Sequence, residues 1–83
     1  MENKLNQLVE VLLEIKNKKE MLDFLRGILT PKEMEEISTR LQIVRLLKKG
    51  KPQQFIAKKL GVGIATVTRG SREIKQGRFW RIS

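Results

Sequence analysis

The residues of this chain best suited to chemistry lie between Gln53 and Arg72, and the chemistry they suit is recognition rather than bond making. Ile64 and Ala65 are small or apolar, matched to a thymine methyl group; Thr66 and Thr68 offer hydroxyls to base edges or phosphates; Arg69 and Arg72 bring fixed positive charge. Gln53 and Gln54 can bond a phosphate oxygen or a purine edge. Lys58, together with Lys48, Lys49, Lys51 and Lys59, suits neutralisation of a phosphate backbone, which adds affinity without reading sequence. A structural alternative places Ile64 in the core and gives the threonines to capping.

Catalysis finds little material. The chain has no histidine and no cysteine, which removes imidazole general bases, thiol nucleophiles, disulfides and cysteine-based metal ligation. Glu33, Glu35 and Glu36 fall in the first turn of an expected helix, where acids face the helix dipole favourably. Ser71 has no histidine to activate it, and Gly61-Val62-Gly63 follows a helix rather than the strand that precedes a phosphate-cradling loop. The chain is not expected to be an enzyme.

Two short helices crossing at a tight turn must position the recognition residues. Gly61 suits the turn, Ala57 four residues earlier permits close approach, and Ile56, Leu60, Val62 and Val67 form the apolar seam. This is a helix-turn-helix pattern over 52–75, with helices at 52–60 and about 64–75, the second ending near Gly77.

Upstream, Leu5, Leu8, Val9, Leu12, Leu13 and Ile15 recur at spacings of three and four and predict an amphipathic helix over 3–17. A polar break at 17–20 precedes a brief helix from Met21 to Ile28, with Gly27 as its expected terminator. Thr30-Pro31-Lys32-Glu33 carries a capping box with proline at the first helical position, so a third helix should run from there to about Lys49. Its expected inward stripe is Met34, Ile37, Leu41, Val44 and Leu46 or Leu47.

At 83 residues the chain reads as a single domain, with 3–49 for dimerisation, 52–75 for the helix-turn-helix and 76–83 as a tail. A core of this size is thin, which favours oligomers. Residues 1–30 hold five Lys/Arg and five Asp/Glu, whereas residues 31–83 hold thirteen and four, so the whole formal charge of +9 lies in the segment that contains the helix-turn-helix. Such a field attracts polyanions in a salt-dependent way. With no signal peptide and no apolar run of about 18 residues, an intracellular, soluble, cytoplasmic protein without a membrane partner is expected.

Leu29-Thr-Pro-Lys-Glu33, Thr39-Arg40 and Leu60-Gly-Val-Gly-Ile-Ala-Thr-Val-Thr-Arg-Gly-Ser71 resemble the bacterial tryptophan repressor family, especially its compact YerC/YecD branch, over residues 5–75. The resemblance implies an all-α, five-helix domain in an intertwined homodimer, with two recognition helices in successive major grooves of a pseudo-palindromic operator. It further implies an amino-acid-like corepressor such as L-tryptophan, sandwiched by Arg40 and Arg69, with Thr30 at its carboxylate and Gly70 beside its ring. Glu73 stands where the family has an amine-binding serine, and Gly27 where it has a leucine. In the reading head Gln53 matches a phosphate-contacting glutamine, but Gln54 and Ala57 replace basic residues, which implies a different operator. The chain stops soon after the fifth helix, so an interface from helices one to three with Phe79 and Trp80 is expected.

The leading expectation is a sequence-specific, DNA-binding repressor that binds double-stranded DNA at the nucleoid as a homodimer. One alternative is a non-specific or architectural nucleic-acid-binding protein. Another is a helix-turn-helix used for protein contact.

Overall fold

A computed structural model describes residues 2–83 as five helices: α1 (Glu2–Glu14), α2 (Lys18–Ile28), α3 (Pro31–Lys48), α4 (Gln53–Leu60) and α5 (Ile64–Lys75). No strand occurs among the described residues, so the fold class is all-α. Two compact units divide the chain, Met1–Met34 and Glu35–Ser83, with α3 continuous through the boundary.

In the first unit, α1 ends three residues earlier than its apolar spacing predicts. The amide of Ile15 bonds the Leu12 carbonyl at 3.3 Å, tightening the last turn. Asn17 is then extended (φ −143°, ψ 165°), and its side chain accepts from the Glu20 amide at 2.8 Å. The stretch expected to be a polar break is therefore a capped helix start, and α2 begins at Lys18 rather than Met21. Gly27 does not terminate α2 but lies inside it. Leu29 ends the helix in an extended conformation (φ −111°, ψ 146°), its amide still bonding the Leu25 carbonyl at 2.9 Å.

The capping box forms as the sequence predicts. The Thr30 hydroxyl oxygen accepts from the Glu33 amide at 3.1 Å, and a Glu33 carboxylate oxygen accepts from the Thr30 amide at 2.9 Å. None of the described side chains in this unit is buried, and the α1 row Leu5, Val9 and Leu13 is exposed. Those three stand at i, i+4 and i+8, one ridge along the helix.

The second unit has a core. Ile43 of α3, Ile56 of α4 and Val67 of α5 are almost completely buried, with Leu46, Leu47, Ala57, Leu60 and Val62 packed around them. Burial of each large side chain stabilises the unit by about 1.5–3 kcal/mol. The expected inward stripe of α3 needs correction: Val44 is buried, but Ile37 and Leu41 are exposed and Ile43 is the buried centre. Apolar residues lie all around the C-terminal half of α3, and the side that α5 approaches selects among them. At that crossing, a methyl group on Gly70 would lie 3.2 Å from Ile43 Cγ2 and 3.3 Å from Leu47 Cδ1.

The turn between α4 and α5 follows the predicted logic. Gly61 takes the left-handed conformation (φ 67°, ψ 35°), and the Val62 amide returns to the Ala57 carbonyl at 3.0 Å. Pro52 caps α4 from outside, so the helix begins at Gln53.

Candidate nucleic-acid interface and effector pocket

The front of α5 projects the residues expected to read bases. Ile64, Ala65 and Thr66 are all exposed, which excludes the core alternative for Ile64. Gly63 is the N-cap and makes no side-chain bond, so no threonine caps this helix. Lys58 is exposed in the last turn of α4, and Gln54, Arg69 and Arg72 are likewise exposed.

Thr68 and Gln53 are joined to each other. The Thr68 hydroxyl lies 2.7 Å from Gln53 Oε1 and 3.0 Å from the Ile64 carbonyl, so its single proton is used within the motif. This bond ties the start of α4 to the body of α5 and fixes the helix-turn-helix. The tie uses the Gln53 amide oxygen and leaves the donors of its amide nitrogen out of this bond. The tie was not legible from the sequence, since a threonine fifteen residues from a glutamine carries no signal of pairing until the crossing of α4 and α5 is known.

Phe55 is exposed on α4 between two ammonium groups, Lys51 Nζ at 5.7 Å and Lys59 Nζ at 5.9 Å from its ring centroid. Lys48, grouped by its charge with the phosphate-neutralising lysines, instead donates to the Phe79 carbonyl.

Residues of α3, α5 and the tail line an open cavity of about 420 Å³, and Ala65 and Thr66 from the front of α5 belong to that lining. Four of the five candidate effector residues, Arg40, Arg69, Gly70 and Glu73, line it together. Its floor is apolar, from Ile43 and Val44. Thr30 belongs to the first unit, where its hydroxyl accepts the capping bond. Arg40 meets Glu36 one turn earlier at 4.0 Å, an exposed pair that adds little stability. Arg69 has no acidic partner among the described residues.

Two further lining residues, Arg78 and Phe79, escaped the sequence reading. The signal was Gly77. It ends α5 at φ 92°, its amide bonding the Ile74 carbonyl at 2.9 Å and the Arg78 amide bonding the Glu73 carbonyl at 3.1 Å. That doubly bonded turn sends the chain back over α5.

Comparison with known proteins decides the family, because the Trp repressor protein model matches residues 3–78. The chain belongs to the Trp repressor family. It is 43% identical over 70 residues to the Trp operon repressor homolog of Vibrio vulnificus (strain YJ016), covering 83% of this chain and 69% of that protein. The homolog of Vibrio campbellii is 40% identical over the same length, 83% of this chain and 70% of that one. That of Vibrio cholerae is 49% identical over 49 residues, 58% and 48% of the two chains. Trp repressor family proteins are transcription regulators, not enzymes. No helix among the described residues is long and apolar enough to cross a membrane.

Proposed function

We propose that this chain is a DNA-binding transcriptional repressor that reads a pseudo-palindromic operator as a homodimer, with an amino-acid-like effector in the α3–α5 cavity. The observation that carries the reading is the exposed start of α5, held by the Gly61 turn and the Thr68–Gln53 bond within the basic half of the chain. A helix docked by its N-terminal end in a major groove presents these small side chains to base edges while Lys58 and Arg72 meet phosphates. Arg69 stands where the two sites meet, on the reading helix and in the cavity wall. Residues 3–49 supply the dimer surface in this reading, the whole chain acts as one domain within the dimer, and the site of action is the nucleoid.

Selection of duplexes from a random library, at near-physiological salt with and without mixed amino acids, tests this reading. Enrichment of a pseudo-palindrome supports an operator-reading dimer, and dependence on the amino acids supports the effector. Salt-sensitive retention without enrichment would instead indicate a non-specific or architectural binder. Arg69→Ala should weaken the selected complex by about tenfold or more, as removal of a charged contact to DNA does. An unchanged affinity would remove Arg69 from the interface.

A further inference from the structure

We propose that Phe55 is a positioning residue for DNA binding, whose ring gathers the Lys51 and Lys59 ammonium groups into a strip along α4 that meets the phosphate backbone of a duplex whatever its sequence. The inference rests on the DNA-binding reading above and adds a device which that reading does not contain. Phe55 is 47% exposed, with Lys51 Nζ 5.7 Å and Lys59 Nζ 5.9 Å from its ring centroid. Phe55 and Lys59 share one ridge of α4, and Lys51 stands one turn ahead of Phe55, just before the helix begins. The backbone beneath them is fixed from inside. Ile56 is completely buried, and Lys51 follows the left-handed Gly50 (φ 82°), its amide bonding the Leu46 carbonyl at 3.1 Å.

A ring can hold lysines without cancelling their charge, which a carboxylate cannot. An aspartate or glutamate at this place would order both side chains and remove one of their two charges. The negative face of a ring attracts the ammonium groups and leaves both charges available to a polyanion. The surroundings agree with this use. The chain has no Asp or Glu between Glu36 and Glu73, and neither Lys51 nor Lys59 has an acidic partner among the described residues. Gln54 and Lys58 are exposed on the adjoining row of α4, so the strip adjoins the phosphate contact proposed for Lys58. Two gathered ammonium groups with no acidic partner in the protein suit a partner that carries a row of negative charges, and a phosphate backbone is one.

Fluorescence anisotropy of the full chain with two labelled duplexes, the selected operator and a random sequence, measured across a range of salt concentrations, tests the proposal. Lys51→Ala and Lys59→Ala should each reduce the slope of log affinity against log salt by about 0.9, the value of one phosphate contact. Phe55→Leu should weaken both duplexes by the same factor, about threefold, as loss of an exposed cation–ring contact does. Phe55→Tyr, which keeps the ring, should retain the wild-type affinity. In the Lys51→Ala/Lys59→Ala background Phe55→Leu should have no effect on affinity, because the ring then has no cation to hold, whereas a merely structural role would persist there. A slope unchanged in either lysine variant overturns the proposal and leaves the strip to a partner other than DNA. A Phe55→Leu loss that is absent, confined to the operator or present without the lysines overturns it as well. All of these outcomes leave the DNA-binding reading in place; a wild type that binds neither duplex overturns that reading and this inference with it.

Discussion

Residues 35–83 bury Ile43, Ile56 and Val67 almost completely, whereas residues 1–34 bury none of their described side chains and expose Leu5, Val9, Leu13 and Ile28. The apolar content of the two regions is not what separates them. In the second, α3, α4 and α5 converge so that each covers the others. In the first, the helices are well capped but leave an aligned apolar ridge in water, an arrangement costly enough that proteins normally keep such patches for partners. Charge divides the same way, with residues 1–30 formally neutral and 31–83 at +9. A formally neutral surface carries no like-charge barrier to a second copy, and a basic one attracts polyanions. One half of the chain thus has a core made from its own contacts, and the other holds its apolar side chains at the surface.

That contrast can be broken from either side. The largest effect is expected for Ile56→Ala, which removes a fully buried side chain and should destabilise the second unit by about 2–5 kcal/mol, read from urea denaturation. A loss under about 1 kcal/mol would mean that the core is not the organiser it looks to be. Next, Leu12→Asp places a charge on the apolar face of α1 and should weaken self-association by about 3 kcal/mol or more, seen by analytical ultracentrifugation. Hydrogen exchange in the same variant should remain slow in α4 and α5; a dimer of unchanged strength would remove α1 from the interface. The smallest effect is expected for Thr30→Ala, which breaks the capping box at an exposed site and should lower stability by about 1 kcal/mol. Restoration by Thr30→Ser would tie that loss to the cap rather than to the removed methyl group.

Legibility in the sequence followed the range of the interaction. Thr30 to Glu33 and the glycine turn at Gly61 were readable because capping and positive φ depend on residues within a few positions. Asn17 was open to the same reading, since an asparagine three residues before a glutamate is a helix start, yet the surrounding lysines made it look like a break. Gly27 misled for the opposite reason, because a glycine near a helix end is a terminator only when the backbone there turns left-handed. Four candidate effector residues, named from resemblance to a family, line one cavity together, a grouping that spacing alone does not reveal.

The helical class, the Thr30 cap, the turn between α4 and α5 and the gathering of charge in residues 31–83 were legible in the sequence, because each follows from local backbone chemistry or composition. Tertiary packing, by contrast, puts Ile43 rather than Ile37 or Leu41 at the centre of the core, bonds Thr68 to Gln53 and brings Arg78 and Phe79 to the cavity lining. Those outcomes depend on how closely α5 approaches α3 at Gly70 and on where the chain is sent at Gly77, and packing between distant segments sets both.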